Sequence, residues 1–134
     1  MSERDNQRAV EQAAAQYASI LSMVQALQAA RDDGDDEAID EARRAITEDA
    51  LEVSVGYSGW YGPGEKPEPD QYRILLCTGG PAVQIFGKLG EHNEPISAEL
   101  QWQDWFQPWS FYFGPEVQED ILLEYAREFN FEAY

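Results

Sequence analysis

Near residue 50 the spacing of apolar side chains changes from every third or fourth position to every second, which divides the chain into two kinds of structure. Before the switch, Val10, Ala13, Tyr17, Ile20, Val24 and Leu27 fall on one helical stripe, separated by the good helix formers Ala and Gln. Asp32-Asp33-Gly34 ends that helix, because glycine adopts the left-handed turn at no steric cost. A second helix starts at Asp35 or Asp36, with acids in the first turn and a stripe of Ile39, Ala42, Ile46 and Ala50. The two make a helical hairpin.

After the switch, Leu51, Val53, Val55 and Tyr57 alternate with polar or small residues, which specifies a strand with one wet and one buried face. Gly- and Pro-rich residues 59–70 form a long loop. Tyr72–Cys77, apolar on both faces, is expected at the centre of the sheet. Thr78-Gly79-Gly80-Pro81 turns it into a third strand, 82–89, and 90–95 turn again into a fourth, 97–103. Pro115 suits the first turn of a last helix, whose stripe is Val117, Ile121, Leu122, Tyr125 and Phe129. The expectation is an α+β fold: a four-stranded antiparallel sheet with helices on one face, an N-terminal helical hairpin and a C-terminal helix. With 134 residues the chain suits one domain, 1–50 supplying the hairpin and 51–134 the sheet and last helix.

Charge narrows the function classes. Twenty-six acidic side chains against 9 basic ones give −17, which excludes a phosphate-binding footprint and disfavours an anionic membrane surface. No apolar run approaches the roughly 20 residues of a membrane-spanning helix, and the N-terminus lacks the features of a signal peptide. The lone Cys77 fits a reducing cytoplasm. With one histidine, His92, and no EF-hand pattern, neither a metal nor a cofactor is expected.

The acids concentrate in two places. Seven of the ten positions from Asp32 to Glu41 are acidic: Asp32, Asp33, Asp35, Asp36, Glu37, Asp40 and Glu41. Glu116, Asp120, Glu124, Glu128 and Glu132 recur every four residues along the expected last helix, where Arg127 is the one basic residue. Like charges at that spacing repel by a few tenths of a kcal/mol per pair, roughly 6 Å apart along the axis. A fold does not require that arrangement. A basic partner explains it, and so does plain solubility, although a Glu excess over Asp of 16 to 10 argues against a halophile.

Aromatics form the second anomaly. Trp102, Trp105, Phe106, Trp109, Phe111, Tyr112 and Phe113 crowd twelve residues, and Trp60-Tyr61 lies in the long loop. Most fit a small core at one end of the sheet. Trp60, Tyr61 and Trp109, with Gly and Pro close by, are the candidates for interface anchors. Cys77, His92 and Asp104 have the residue types of a thiol enzyme, but Cys77 falls within a hydrophobic strand, where it acts as an apolar filler. No enzymatic activity is expected.

Several motifs look familiar: Ser58-Gly59-Trp60, Pro63-Gly64-Glu65, Tyr72 to Val83 with its Leu-Leu-Cys-Thr-Gly-Gly-Pro core, and Gln101-Trp102-Gln103-Asp104-Trp105 with Pro108-Trp109. This block, about residues 51–131, resembles a group of small acidic proteins of bacterial plasmids, integrative elements and prophages that lie among antirestriction and other anti-defence genes, including anti-CRISPR genes. The first 48 residues depart from that pattern and look like an added module. The resemblance implies an anti-defence role in the host cytoplasm, and the concentrated acids point to an inhibitor that acts as a nucleic-acid mimic. Its partner would be a basic, nucleic-acid-binding complex such as a CRISPR effector or restriction enzyme, and not nucleic acid itself. Two other classes compete: an immunity or regulatory module that binds a protein through the sheet and aromatic loops, and a small-molecule or enzymatic domain at the aromatic end. The stripe on the first helix serves an intrachain core or a homodimer equally well.

Overall fold

The computed structural model describes residues 3–104 and 107–132, with side chains from residue 6 onward. The hairpin is built as its turn chemistry requires. Helix α1 (Glu3–Asp33) stops at Gly34, which has φ +65°, and the Asp35 N–H bonds back to the Ala30 carbonyl at 3.3 Å, a glycine-type helix stop. After this two-residue link Asp35 caps helix α2 (Asp36–Asp49), its carboxylate accepting the Ala38 N–H at 3.1 Å.

Strands β1 (Glu52–Gly56), β2 (Gln71–Cys77), β3 (Ala82–Lys88), β4 (Glu99–Gln103) and β5 (Ser110–Phe111) pair in sequence order, every neighbour antiparallel. The sheet therefore has five strands, not four. The extra one lies inside the aromatic segment and is two residues long, too short to carry a period. β2 is an interior strand between β1 and β3, and β3 is the middle one of the five, with Ala82 to Ile85 all buried. Trp105 and Phe106, counted in the aromatic cluster, lie outside the described residues.

Helix α3 (Glu119–Ala126) is eight residues long, shorter than its apolar stripe. Val117 and Phe129 pack on the core from the turns that flank it, so the spacing outlasts the helix.

All three helices lie on one side of the sheet. α1 packs against α2, α3, β3 and β4, burying Ala13, Tyr17, Ile20, Val24 and Leu27. This stripe is thus an intrachain core and not a dimer seam. Ala9 takes the place expected for Val10, which is partly exposed. From the sheet come Tyr72, Ile74, Val83, Ile85 and Leu100. At roughly 1.5–3 kcal/mol for each large side chain fully buried, this layer dominates folding. Gly87 allows the closest approach: a Cβ there would stand 2.0 Å from the Ser97 carbonyl oxygen and 2.7 Å from the Tyr72 ring, whose hydroxyl donates to that same carbonyl at 2.7 Å.

One expected burial fails. Val53 and Val55 stand opposite the buried Ile74 and Tyr72 and so share their face, yet at this edge of the sheet Val55 packs on the core and its neighbours do not. Leu51 is 60% exposed, Tyr57 47% and Val53 37%.

Candidate functional site

Of the two acid-rich segments, the hairpin turn keeps its charge in solvent. Asp32, Asp33, Asp35, Asp36, Glu37, Asp40 and Glu41 are all exposed. The geometry follows from the fold: the two-residue link brings the last turn of α1 against the first turn of α2. Both carry carboxylates, and Glu37, Asp40 and Glu41 continue along one face of α2 beside Arg44. Among the described residues the ion pairs are Arg31–Glu128 at 3.8 Å and Arg43–Glu128 at 2.8 Å, so no carboxylate of the turn is neutralised. Only Asp35 has a hydrogen-bonding task, as the cap of α2.

The C-terminal acids are arranged differently. Glu116 precedes α3 and Glu128 follows it, so the five-membered ladder does not exist as one helical face; only Asp120 and Glu124 lie within α3. Most of these carboxylates are engaged. Glu116 accepts from the Tyr112 hydroxyl at 2.6 Å, a bond that holds its carboxyl below the usual carboxylate range. Burial, then the Glu116 bond, pushes the Tyr112 hydroxyl up to about 12. Glu124 accepts from the Gln28 amide of α1 at 2.9 and 3.1 Å. Glu128 has a side chain only 7% exposed and is gripped by Arg31 of α1 and Arg43 of α2. The repulsion expected along this segment is thus offset by cations from the hairpin, about 85 and 97 residues earlier in the chain. Asp120 remains exposed and makes no such contact.

Tyrosines complete the clasp around α3. Tyr17 accepts the Gln118 N–H at 3.0 Å, and the Tyr125 hydroxyl donates to Asp49 at the end of α2 at 2.7 Å. Burial first, and the Asp49 carboxylate second, raise the Tyr125 hydroxyl above its ordinary range.

The loop after β1 presents its aromatics unequally. Trp60 is fully exposed, 101% by relative area, whereas the Tyr61 hydroxyl is tied to Glu68 as donor to its carbonyl (2.8 Å) and acceptor from its N–H (3.2 Å). Ser58 bonds the Asp70 carboxylate at the loop's base through its N–H and hydroxyl, and the hydroxyl bond is the main cause lowering that carboxyl's pKa. Two clasps therefore brace the loop that displays Trp60.

Trp109 is only half-buried and sits against the sheet face turned away from the helices, where it lines a cleft of about 300 Å³ with Ser54, Gln71, Arg73, Gln84 and Gln101. The buried Gln84 amide donates to Gln101 at 2.7 Å on its floor. Sequence alone gave no sign of this cleft, because its residues come from four strands and a loop.

The thiol-enzyme constellation is not assembled. Cys77 ends β2 beside the turn into β3, whereas His92 is in the turn that leaves β3, about 20 Å away for a strand of that length. Cys77 is half-buried rather than buried in mid-strand, and burial pushes its thiol up, away from the reactive thiolate. Among the described residues no group of three or more His, Cys, Asp and Glu side chains is placed to hold a metal ion, and no helix is long and apolar enough to cross a membrane.

No family model, curated protein or solved structure matches this chain.

Proposed function

We propose that this chain is an anti-defence inhibitor of the mobile-element class whose hairpin turn occupies a Lys/Arg-lined nucleic-acid site on a bacterial defence complex. One observation carries this reading: seven exposed carboxylates gather at the turn without an ion pair among the described residues, while Glu124, Glu128 and the exposed Glu116 have partners within the chain. Asp35, Asp36 and Glu37 suit the start of α2, but the fold gains nothing from Asp32, Asp33, Asp40 and Glu41 beside them, and a basic groove would. Along α2, carboxylates on successive turns stand about 5–6 Å apart, sparser than the one charge per roughly 1.7 Å of duplex axis, so the row on α2 and the acids of the turn together would make the imitation. The resemblance of residues 51–131 to small acidic proteins of plasmids and prophages favours the same class. Occlusion needs no catalysis. Charge complementarity would speed encounter and reject wrong partners more than it would add affinity.

The test begins by capturing host proteins on the immobilised chain and eluting them with rising salt. A duplex DNA or structured RNA competitor should then release the captured complex. Asp33→Lys, Asp40→Lys and Glu41→Lys together, a set that spares the Asp35 cap and the first turn of α2, should abolish capture. If the triple variant captures the same complex equally well, the turn is not the mimic.

Trp60 favours a second reading, in which the chain is a protein-binding regulatory module and its charge is incidental. A fully exposed tryptophan on a braced loop is a pre-organised anchor for an interface. Under that reading Trp60→Ala removes binding and the charge reversals leave it intact.

A further inference from the structure

The sheet has two edges, and they are unequally protected. β5 is two residues long, and a strand that short offers little to pair with. β1 is five residues long, Glu-Val-Ser-Val-Gly, and is lightly protected: it has no Lys, no Pro and no bulge in its register with β2, and its one charge is Glu52. Among the described residues no strand pairs with its outer side.

We propose that a second copy of this chain adds antiparallel to the outer side of β1, about a two-fold axis at Ser54, joining two five-stranded sheets into one of ten strands. The segment around Ser54 is self-complementary. From Leu51 to Tyr57 it reads apolar, Glu, Val, Ser, Val, Gly, apolar. An axis at Ser54 sets Leu51 opposite Tyr57 of the second copy and Val53 opposite its Val55. Directly opposed residues share a face, so the exposed Leu51, Val53 and Tyr57 would close into one seam on the helix side. A foreign strand has no reason to match that register, whereas a second copy matches it twice.

The other face agrees in charge. Glu52 would stand opposite Gly56 of the second copy, so no like charges meet there, and the next side chain inward is the neutral Gln71, whose oxygen would stand 3.2 Å from a Cβ on Gly56. One strand further in lies Arg73, which pairs with Ser54 in register and makes no ion pair or hydrogen bond among the described residues. The Glu52 carboxylate has only a 3.4 Å bond from the Ser54 hydroxyl. In the dimer each Glu52 would face Gln71 of the other copy across Gly56, with Arg73 two residues further along that strand on the same face. Two chains of −17 repel at long range, but the acidic turn stands about 20 Å from β1 along α2, well beyond the Debye length of about 8 Å at physiological salt. Dimerisation should therefore tighten as salt rises. The inference does not depend on what the acidic turn binds.

Sedimentation velocity on the full chain tests it, over roughly 5 to 500 µM protein and about 20 to 300 mM salt. The expected result is a reversible dimer with a Kd on the order of tens of micromolar, as befits an interface at the small end of the range, tighter at the higher salt. Val53→Lys should weaken it at least tenfold with an unchanged circular dichroism spectrum. Should that variant fail to fold, Ser54→Cys in a Cys77→Ser background decides. Directly opposed strand residues lie within disulfide reach, so mild oxidation should give a covalent dimer, while Glu41→Cys in the same background should not. A wild type that stays monomeric throughout overturns the proposal. So does a Val53→Lys chain that folds and dimerises normally, or equal cross-linking at positions 54 and 41.

Discussion

The hairpin turn and the C-terminal segment are both dense in acids, yet their carboxylates meet opposite surroundings. At the turn all seven are exposed, and Arg44 stands beside Glu37, Asp40 and Glu41 without pairing with them. Around α3, Arg31, Arg43 and Gln28 converge from the hairpin on Glu128 and Glu124, and Tyr112 takes Glu116. The difference teaches that acid density alone does not mark a binding surface. What matters is whether the fold brings cations and donors to the acids, and here Arg31 and Arg43 go to Glu128 while the acids of the turn stay exposed, Asp35 alone among them serving as a cap.

That contrast makes its largest prediction at Glu128. Glu128→Lys would place a cation between Arg31 and Arg43 at a site with little solvent. With the arginines themselves half exposed, the cost should be about 2–3 kcal/mol, a fall in Tm of roughly 10 °C for a domain of this size. Thermal melts at neutral pH check it. A loss under a degree would mean that the C-terminal acids are as free as those of the turn.

Tyr125→Phe comes next, since it leaves Asp49 without its donor, at about 1–2 kcal/mol. The same tyrosine gives a pH signature. Tyr72, Tyr112 and Tyr125 all have hydroxyls raised above the ordinary value of 10.0, chiefly by burial. The folded state holds those protons more tightly than the unfolded chain. Their contribution is therefore complete below pH 10 and is lost as pH rises beyond it. Melts between about pH 8 and pH 11.5 should show a steep fall above pH 10. Tyr125→Phe should make that fall shallower, and an equal slope in the two proteins would contradict the assignment.

Smaller still, Glu124→Ala should cost about 1 kcal/mol through the Gln28 bonds. At the turn, Asp33→Lys, Asp40→Lys and Glu41→Lys should each stay within about 0.5 kcal/mol of wild type in the same melts. Partner binding alone should register those changes.

How much of this was legible in the sequence follows from where each cause lies along the chain. The hairpin and the meander were legible because their causes are local: the 3.6 and 2.0 periods, Gly34 for the left-handed stop and Gly79-Gly80 for a turn. The exposure of Trp60 was legible for the same reason, from the glycines and prolines around it. β5 was not, since two residues carry no period. The end of α3 was hidden because Val117 and Phe129 face the core from turns and prolong the helical spacing. The fate of Glu124 and Glu128 depends on contacts 85 or more residues away, which no local pattern encodes. The exposed apolar side of β1 was hidden too: alternation says that a strand has an apolar face, while its place at the edge decides whether anything covers it.

The account turns on the free carboxylates of the hairpin turn, and one titration reaches them directly. Affinity for the captured host complex would be measured across a salt series for the wild type and for the triple Asp33, Asp40 and Glu41 to Lys variant. The account predicts steep weakening with salt for the wild type. For the variant it predicts at least a tenfold loss at low salt together with a shallower slope. Equal affinities and equal slopes in the two proteins would contradict it.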